Sequence, residues 1–294
     1  VYKLRPIQVE IQLNGFHSVY YFEHGKHFTH TPEQHGFWEM VYVDRGNIVA
    51  LADNIGYPMQ EGQAIFHEPG EVHAHVSDNR EANNMLVIAF SAEGAQLSFF
   101  RKKIFTLDAT AKKLLSLFIS EAKNALGVLP NRYDDKSDLD FSKEKFAATQ
   151  MMQCYFCEFL IHLIRGGSAQ SDTLTPSAEA HTIAQTSLAE LIEKYLKENL
   201  YVPLALQDVC DHFLLGKSQL CAIYKQHTGK SLMAHYADLK MQEAKKLLRE
   251  ERLGVGEIAE SLGFSGIHIF SRAFKKATGF SPTAYKKSVL FDVK

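Results

Sequence analysis

Two stretches of the C-terminal half repeat one another, and that repeat constrains the fold more than any other feature. LQDVCDHFLLGKSQLCAIYKQHTGKSLMAHY (Leu206–Tyr236) and VGEIAESLGFSGIHIFSRAFKKATGFSPTAY (Val255–Tyr285) each read as a short helix, a tight turn and a second helix that ends in Lys and Thr-Gly. In the second copy Ile258, Ala259 and Leu262 make one apolar face, and Ala259 is small enough for a partner helix to approach closely. Gly263 supplies the turn, and Phe270 and Phe274 are the inward residues of the helix that follows. That leaves Ser265, Gly266, Ile267, His268, Ser271 and Arg272 on its start and outer face, with Lys275 and Lys276 near its end. A core that fixes the angle of a helix while leaving its N-terminal outer face free is the plan of a helix-turn-helix, and lysines at that distance suit phosphates.

One αα-hairpin says little, but two joined by one long helix say much more. The predicted connector, from Ser231 to Glu250, carries Leu232, Tyr236, Leu239, Ala244, Leu247 and Leu248 on one stripe. A helix of roughly 20 residues is about 30 Å long, close to the ~34 Å repeat of the major groove, so one chain can address two adjacent grooves. Charge follows the same division. From Lys217 onward there are 14 Lys+Arg against 7 Asp+Glu, whereas the rest of the chain has 18 against 27. An acidic front and a basic back fit a chain that meets a polyanion at one end only.

Residues 1 to about 105 read as short strands rich in Val, Ile, Phe and Tyr, separated by Gly, Pro, Asn and Asp, as in an all-β sandwich or barrel. Trp38, Met40 and Tyr42 share one face of a strand, and Glu39, Val41 and Val43 the other. Helical spacing then takes over at Thr110–Leu126 and Lys145–Arg165. The second of these is apolar on more than one side, which predicts that Met152, Phe156, Phe159, Leu160 and Leu163 meet a second subunit. Residues 166–182 have the composition of a linker, so the expected domains are 1–165 and 183–294, the latter opening with a helix capped by Ser187. The fold class is thus α+β and multidomain. Cys154 and Cys157 are spaced C-x-x-C inside an apolar helical stretch, and read as two small buried thiols more readily than as a metal or redox pair. Neither a membrane span nor a secretory signal is visible, and a cytoplasmic protein without a membrane partner is expected.

GEIAESLGFSGIHIFSRAFKKATGFSPTAYKK is similar to the signature of the AraC/XylS family of bacterial transcription regulators, I-A-x-x-x-G-F followed by F-x-R-x-F-K-x-x-x-G-x-x-P-x-x-Y. It is matched at Ile258, Ala259, Gly263, Phe264, Phe270, Arg272, Phe274, Lys275, Gly279, Pro282 and Tyr285. The resemblance covers roughly the last 110 residues, and the barrel-then-helices layout ahead of it is also similar to that family's cupin-like effector domain. It implies a homodimer that binds double-stranded DNA, takes a small-molecule effector such as a sugar, works as an activator through RNA polymerase, and needs no cofactor. Carried over, the family's base-reading positions fall on Ser218, Cys221 and Ala222, with Lys217 beside them and Lys225 further along, and on Ile267, His268 and Arg272 in the second copy. Relatives usually hold longer polar residues where this chain has Cys221 and Ala222. Neither can make a bidentate base contact, so the first helix is left with thymine methyls or DNA shape.

Eight of the 14 histidines precede residue 76. HTPEQHGFWE and HEPGEVHAH resemble the two cupin motifs, in which metal-binding members supply histidines and a glutamate to one ion. His73 and His75 lie two apart on a predicted strand and share a face, and His35 and Glu39 would complete a set of three nitrogens and one oxygen. The first motif lacks the usual H-x-H pair, having His30 and His35 instead. The reading that fits the family is an organic effector bordered by His30, His35, Trp38, Glu39, His73 and His75, with no metal. Three classes stay open: an effector-responsive transcription regulator, a regulator that senses a metal or a protein partner, and a metal-dependent cupin enzyme. The basic double helix-turn-helix, which an enzyme has no use for, favours a regulator and argues against catalysis.

Overall fold

The computed structural model describes residues 2–129, 139–142, 144–166, 168–250 and 252–289. The chain divides into two compact units, residues 1–184 and 185–294. In the first, β1 (Gln12–His24), β2 (Trp38–Arg45), β5 (Gln63–His67), β7 (Asn83–Glu93), β8 (Lys103–Leu107) and β9 (Ser168–Thr173) form one antiparallel sheet in the order β1-β7-β2-β5-β8-β9. A smaller sheet, in the order β4-β3-β6, is made of β3 (Asn47–Ala52), β4 (Ile55–Gln60) and β6 (His73–Ser77). Asp53 and Asn54 join β3 to β4 with both residues left-handed (φ 48° and 65°), the two-residue turn whose twist matches that of the strands.

Alternation along each strand sorts the side chains between three cores. Val41 and Val43 of β2, Ile48 and Ala50 of β3, Met59, Ile65, Met85, Val87 and Phe22 fill the space between the sheets. Met40 and Tyr42 face the other way, onto α1 (Ala109–Leu126) and α2 (Ala148–Ile164). The Asp108 carboxylate caps α1 by accepting the Ala111 N–H (2.8 Å). Outward-facing Val49, Leu51, Ala74 and Val76 of the small sheet are covered by Ala180 and Ala184 of α3 (Ala178–Glu198).

Four expectations need correction here. Met152, Phe156, Phe159, Leu160 and Leu163 are all fully buried within the unit itself. Phe156, for example, sits 4.9 Å from Phe90, 5.4 Å from Phe118 and 5.7 Å from Phe16, ring centre to ring centre, so these five residues are core and not an intersubunit surface. Residues 166–182 are not a structureless linker, since β9 extends the large sheet by pairing with the free edge of β8 and α3 begins at Ala178. Ser187 lies buried in the middle of that helix, and Ser177 is the residue whose hydroxyl accepts from the Ala180 N–H (3.4 Å). Of the two close cysteines, Cys157 is half-buried but Cys154 is exposed.

Among its described residues the second unit is all-α. Its first half has α4 (Leu206–His212) and α5 (Lys217–Thr228), and its second has α7 (Val255–Ser261), α8 (Ile267–Thr278) and α9 (Pro282–Val289). Between them runs α6 (Leu232–Glu250). One core gathers Leu188, Ile192 and Leu196 of α3 with Val209, Phe213, Leu220, Tyr224 and the start of α6. The other gathers Met241, Ala244 and Leu248 at the end of α6 with Ile258, Ala259, Leu262, Phe270 and Phe274. Lys240, buried in α6, donates to the carbonyls of Val202 (3.2 Å) and Leu262 (2.7 Å) and so ties the approach to α4 to the turn after α7. The repeat read from the sequence recurs in atomic detail. Asp208 and Glu257 each accept the backbone N–H three residues earlier (2.6 Å in both), and Thr228 and Thr278 each donate to the carbonyl four residues back (2.8 Å in both).

Candidate nucleic-acid interface and barrel site

In α8 the buried residues are Phe270 and Phe274, and the exposed ones are Ile267, His268, Ile269, Arg272, Lys275 and Lys276, with Ser271 half-buried and Ser265 exposed just ahead of the helix. Gly263 holds φ +69°, and a Cβ there would come within 3.0 Å of the Pro203 nitrogen. The glycine therefore allows both the turn and the close packing of the 202–203 segment. In α5 Leu220, Ile223 and Tyr224 are buried, Lys217, Ser218, Ala222 and Lys225 are exposed, and Cys221 is half-buried. The sequence reading passed over Gln219 and Gln226, exposed on the same helix, and Ile269 on α8, which is 43% exposed. Their position every three to four residues along the outward face was the signal available.

The titratable cluster of the barrel is assembled by backbone pairing. The segment before β2 lies antiparallel to β6, with Glu33 and His73 exchanging both backbone hydrogen bonds (2.9 and 3.0 Å) and His30 N–H donating to the His75 carbonyl (3.0 Å). Gly70 N–H donates to the His35 carbonyl (2.8 Å), which brings the loop carrying His35 to the same end. The ligand-type atoms of Glu33, His35, Glu39 and His73 all lie within 4.8 Å of one another. His35 Nε2 is 3.5 Å from Glu39 Oε2, and His73 Nε2 is 3.5 Å from Glu39 Oε1 and 3.8 Å from Glu33 Oε1. His30 borders the group through Glu33 (3.9 Å).

Two of the expected pocket residues sit elsewhere. Trp38 is buried in the core beneath α1 and α2, on the opposite face of β2 from Glu39, as alternation requires. His75 shares the inward face with His73 but pairs with His67 (Nε2 to Nε2, 3.0 Å), whose Nδ1 meets Glu71 at 2.5 Å. Glu33, His67 and Glu71 went unread. Only the cross-strand partner of β6 reveals Glu33, whereas His67, on the inward side of β5 two residues beyond Ile65, could have been found from alternation.

Electrostatics separates the two histidine groups. Burial, reinforced by neighbouring imidazoles, pushes His67 and His75 well below the usual histidine range, so both are neutral. Burial likewise lowers His30 to about 4 and raises Glu71 to about 7. Burial would also raise Glu39, but His35 and His73 outweigh it and hold that carboxyl well below its ordinary value. On His73 burial is again outweighed, by Glu39, and the pKa rises to about 9.

A β-barrel with a buried histidine–carboxylate cluster, followed by a duplicated helix-turn-helix unit, defines an effector-responsive DNA-binding regulator. Comparison with known proteins gives the family. The profile of an AraC-like ligand binding domain matches residues 15–125, and that of a helix-turn-helix domain matches 209–288. Over 279 residues the chain is 27% identical to an uncharacterized HTH-type transcriptional regulator, YfiF, of Bacillus subtilis, covering 92% of this chain and 83% of the relative. It is 25% identical over 259 residues to the HTH-type transcriptional activator RhaR of Escherichia coli K12, covering 86% of this chain and 85% of the relative. The C-terminal domain of AraT, a response regulator from Geobacillus stearothermophilus, aligns with a TM-score of 0.33 at 31% identity, covering 34% of this chain and 84% of that one. The chain belongs to the AraC/XylS family of transcription regulators. Among the described residues no helix is long and apolar enough to cross a membrane.

Proposed function

We propose that the two outward helix faces read adjacent major grooves, with Lys217, Ser218, Cys221, Ala222 and Lys225 on α5, and with Ser265, Ile267, His268, Ser271, Arg272, Lys275 and Lys276 at or on α8. Arg272 reads a guanine and Ile267 packs on a thymine methyl, while the lysines neutralise phosphates. The observation that carries this reading is the exposure of those residues on helices whose opposite faces are fixed in two separate cores. At 19 residues α6 is about 28 Å long, which suits grooves spaced ~34 Å apart.

The effector binds at the His30, Glu33, His35, Glu39 and His73 end of the barrel and must favour one arrangement of the protein over another. A route is available on β6, where His73 faces inward and Ala74 and Val76 face the start of α3, the helix that continues into the first DNA-binding core. The protein acts in the cytoplasm as a homodimer, recruits RNA polymerase as an activator and catalyses no reaction. Its dimer contact uses residues other than the five buried in α2. Selection of bound sequences from random DNA at a stated salt concentration tests the core of this reading. A motif with two elements about one helical turn apart is expected. Absence of enrichment, both for the whole chain and for residues 185–294, would overturn it.

A further inference from the structure

We propose that the barrel end holds one divalent transition-metal ion, ligated by Glu33, His35, Glu39 and His73. Nitrogen and oxygen donors in this mixture suit Zn(II), Fe(II) or Mn(II), since two imidazoles are out of place in a calcium or magnesium site and no thiolate is present to select copper(I). The ion is the effector of the regulator proposed above, or part of it. The regulatory consequence rests on that reading, but the site itself does not.

Three observations on this cluster converge. The first is spacing. Around an ion with bonds of about 2.0–2.1 Å, tetrahedral donors sit about 3.3 Å apart. Here His35 Nε2 lies 3.5 Å from one Glu39 oxygen, and His73 Nε2 lies 3.5 Å from the other and 3.8 Å from Glu33. One donor atom from each of the four residues falls within 4.8 Å of the rest, so the four can draw in around a single ion.

The second is what those distances are not. A charge-assisted N–H···O bond draws its atoms to about 2.7–2.9 Å. The buried atoms His35 Nε2 and His73 Nε2 make no hydrogen bond, although a carboxylate oxygen lies 3.5 Å from each. An ion bound between the donors would give both nitrogens the partner they lack.

The third is ring orientation. His35 Nδ1 lies 3.0 Å from the Phe37 carbonyl and His73 Nδ1 lies 3.0 Å from the Glu71 carbonyl. A carbonyl can only accept, so Nδ1 carries a proton in both rings and Nε2 is the atom presented to the site. Fixing the second nitrogen on a backbone carbonyl is how a histidine is held ready for a metal.

The rest of the barrel favours a small occupant as well. Between the sheets, Phe22, Val41, Val43, Ile48, Ala50, Met59, Ile65, Met85 and Val87 are packed to 1% exposure or less. The paired His67 and His75 close the cluster from within, while Glu33, 39% exposed, faces the entrance.

Cobalt(II) is the probe, titrated into full-length protein stripped with a chelator, with bound metal read by calorimetry, by elemental analysis and by the visible spectrum of the ion. One equivalent is expected, with the spectrum of a nitrogen–oxygen site. Glu33→Gln and His35→Asn alter loop residues that are only partly buried, and circular dichroism should find both variants folded. Each should weaken binding by on the order of 100-fold, at least the loss seen when a metal site's supporting hydrogen bonds are removed. His27→Asn, exposed and outside the cluster, should bind as the parent does. Failure of the parent to take up cobalt, or uptake that Glu33→Gln and His35→Asn leave unchanged, would overturn the proposal. DNA selection on the same stripped and loaded samples separates the two readings. Enrichment without metal binding sinks the site and spares the regulator, and metal binding without enrichment does the reverse.

Discussion

The two helix-turn-helix units share a scaffold but not a surface. Val209 and Ile258, Cys210 and Ala259, Phe213 and Leu262, Leu220 and Phe270, and Tyr224 and Phe274 occupy matching places in the two cores. The capping carboxylates, the threonine hydroxyls and the left-handed glycines at 229 and 279 (φ 72° and 81°) also repeat. The outward faces do not match. α5 offers Lys217, Ser218, Cys221 and Ala222 where α8 offers Ile267, His268, Ser271 and Arg272. The core positions stay apolar and fully packed even where the individual residues differ in size, while the exposed positions carry no such constraint.

The largest effects should come from breaking what the units share. Phe270→Ala removes a fully buried ring and should cost about 3–5 kcal/mol of stability, and Leu220→Ala at the matching site about 2–5 kcal/mol. Urea denaturation of residues 185–294 measures both. Equal loss of far- and near-ultraviolet signal across the two halves would mean that Lys240 and α6 couple them into one cooperative unit, and separate transitions would mean that each core melts alone. Gly263→Ala comes next. It places a Cβ on a left-handed residue and against Pro203, and should cost about 1–3 kcal/mol in the same assay.

The surfaces are compared by affinity. Arg272→Ala should weaken binding to the selected sequence by about 1–3 kcal/mol and relax the preference at one base position. Ser218→Ala, which removes only a short hydroxyl, should change it less. If Arg272→Ala weakens selected and random DNA equally, Arg272 is a phosphate contact and the asymmetry between the units shrinks to that extent. A competition assay at fixed salt decides this, because the phosphate contribution is salt-dependent and the base contribution largely is not.

The same contrast explains what could be read from the sequence. The C-terminal architecture was legible residue by residue, because helix periodicity puts Ile258, Leu262, Phe270 and Phe274 on one side without reference to any distant residue. The barrel was legible only as a class. Glu33 reaches His73 across a pairing between separate segments, and nothing local in the sequence fixes that register. Trp38 could have been excluded by alternation alone, since Glu39 next to it faces inward. The buried residues of α2 misled for a physical reason. A helix apolar on several sides can be wrapped by its own domain, and here β1, β7 and α1 supply the wrapping that was assigned to a second subunit.

The smallest effect tests a place where the two scaffolds differ. At the turn between its helices the second unit has Gly263, and the first has Leu214 with φ +53°, a conformation unfavourable for any residue with a side chain. Relief of that strain by Leu214→Gly is worth about 1–2 kcal/mol. Against it stand the extra backbone entropy of glycine in the unfolded chain, about 0.5–1 kcal/mol, and loss of the apolar area that a 37% exposed leucine still buries. The terms nearly cancel, so denaturation should find Leu214→Gly within about 1 kcal/mol of the parent, well short of the cost of Gly263→Ala. A clear gain would mean that Leu214 is held in strain for its exposed side chain, beside Lys217 and Ser218 at the start of α5. A large loss would mean that Leu214 anchors the first core, and that this unit depends on a side chain where its twin depends on having none.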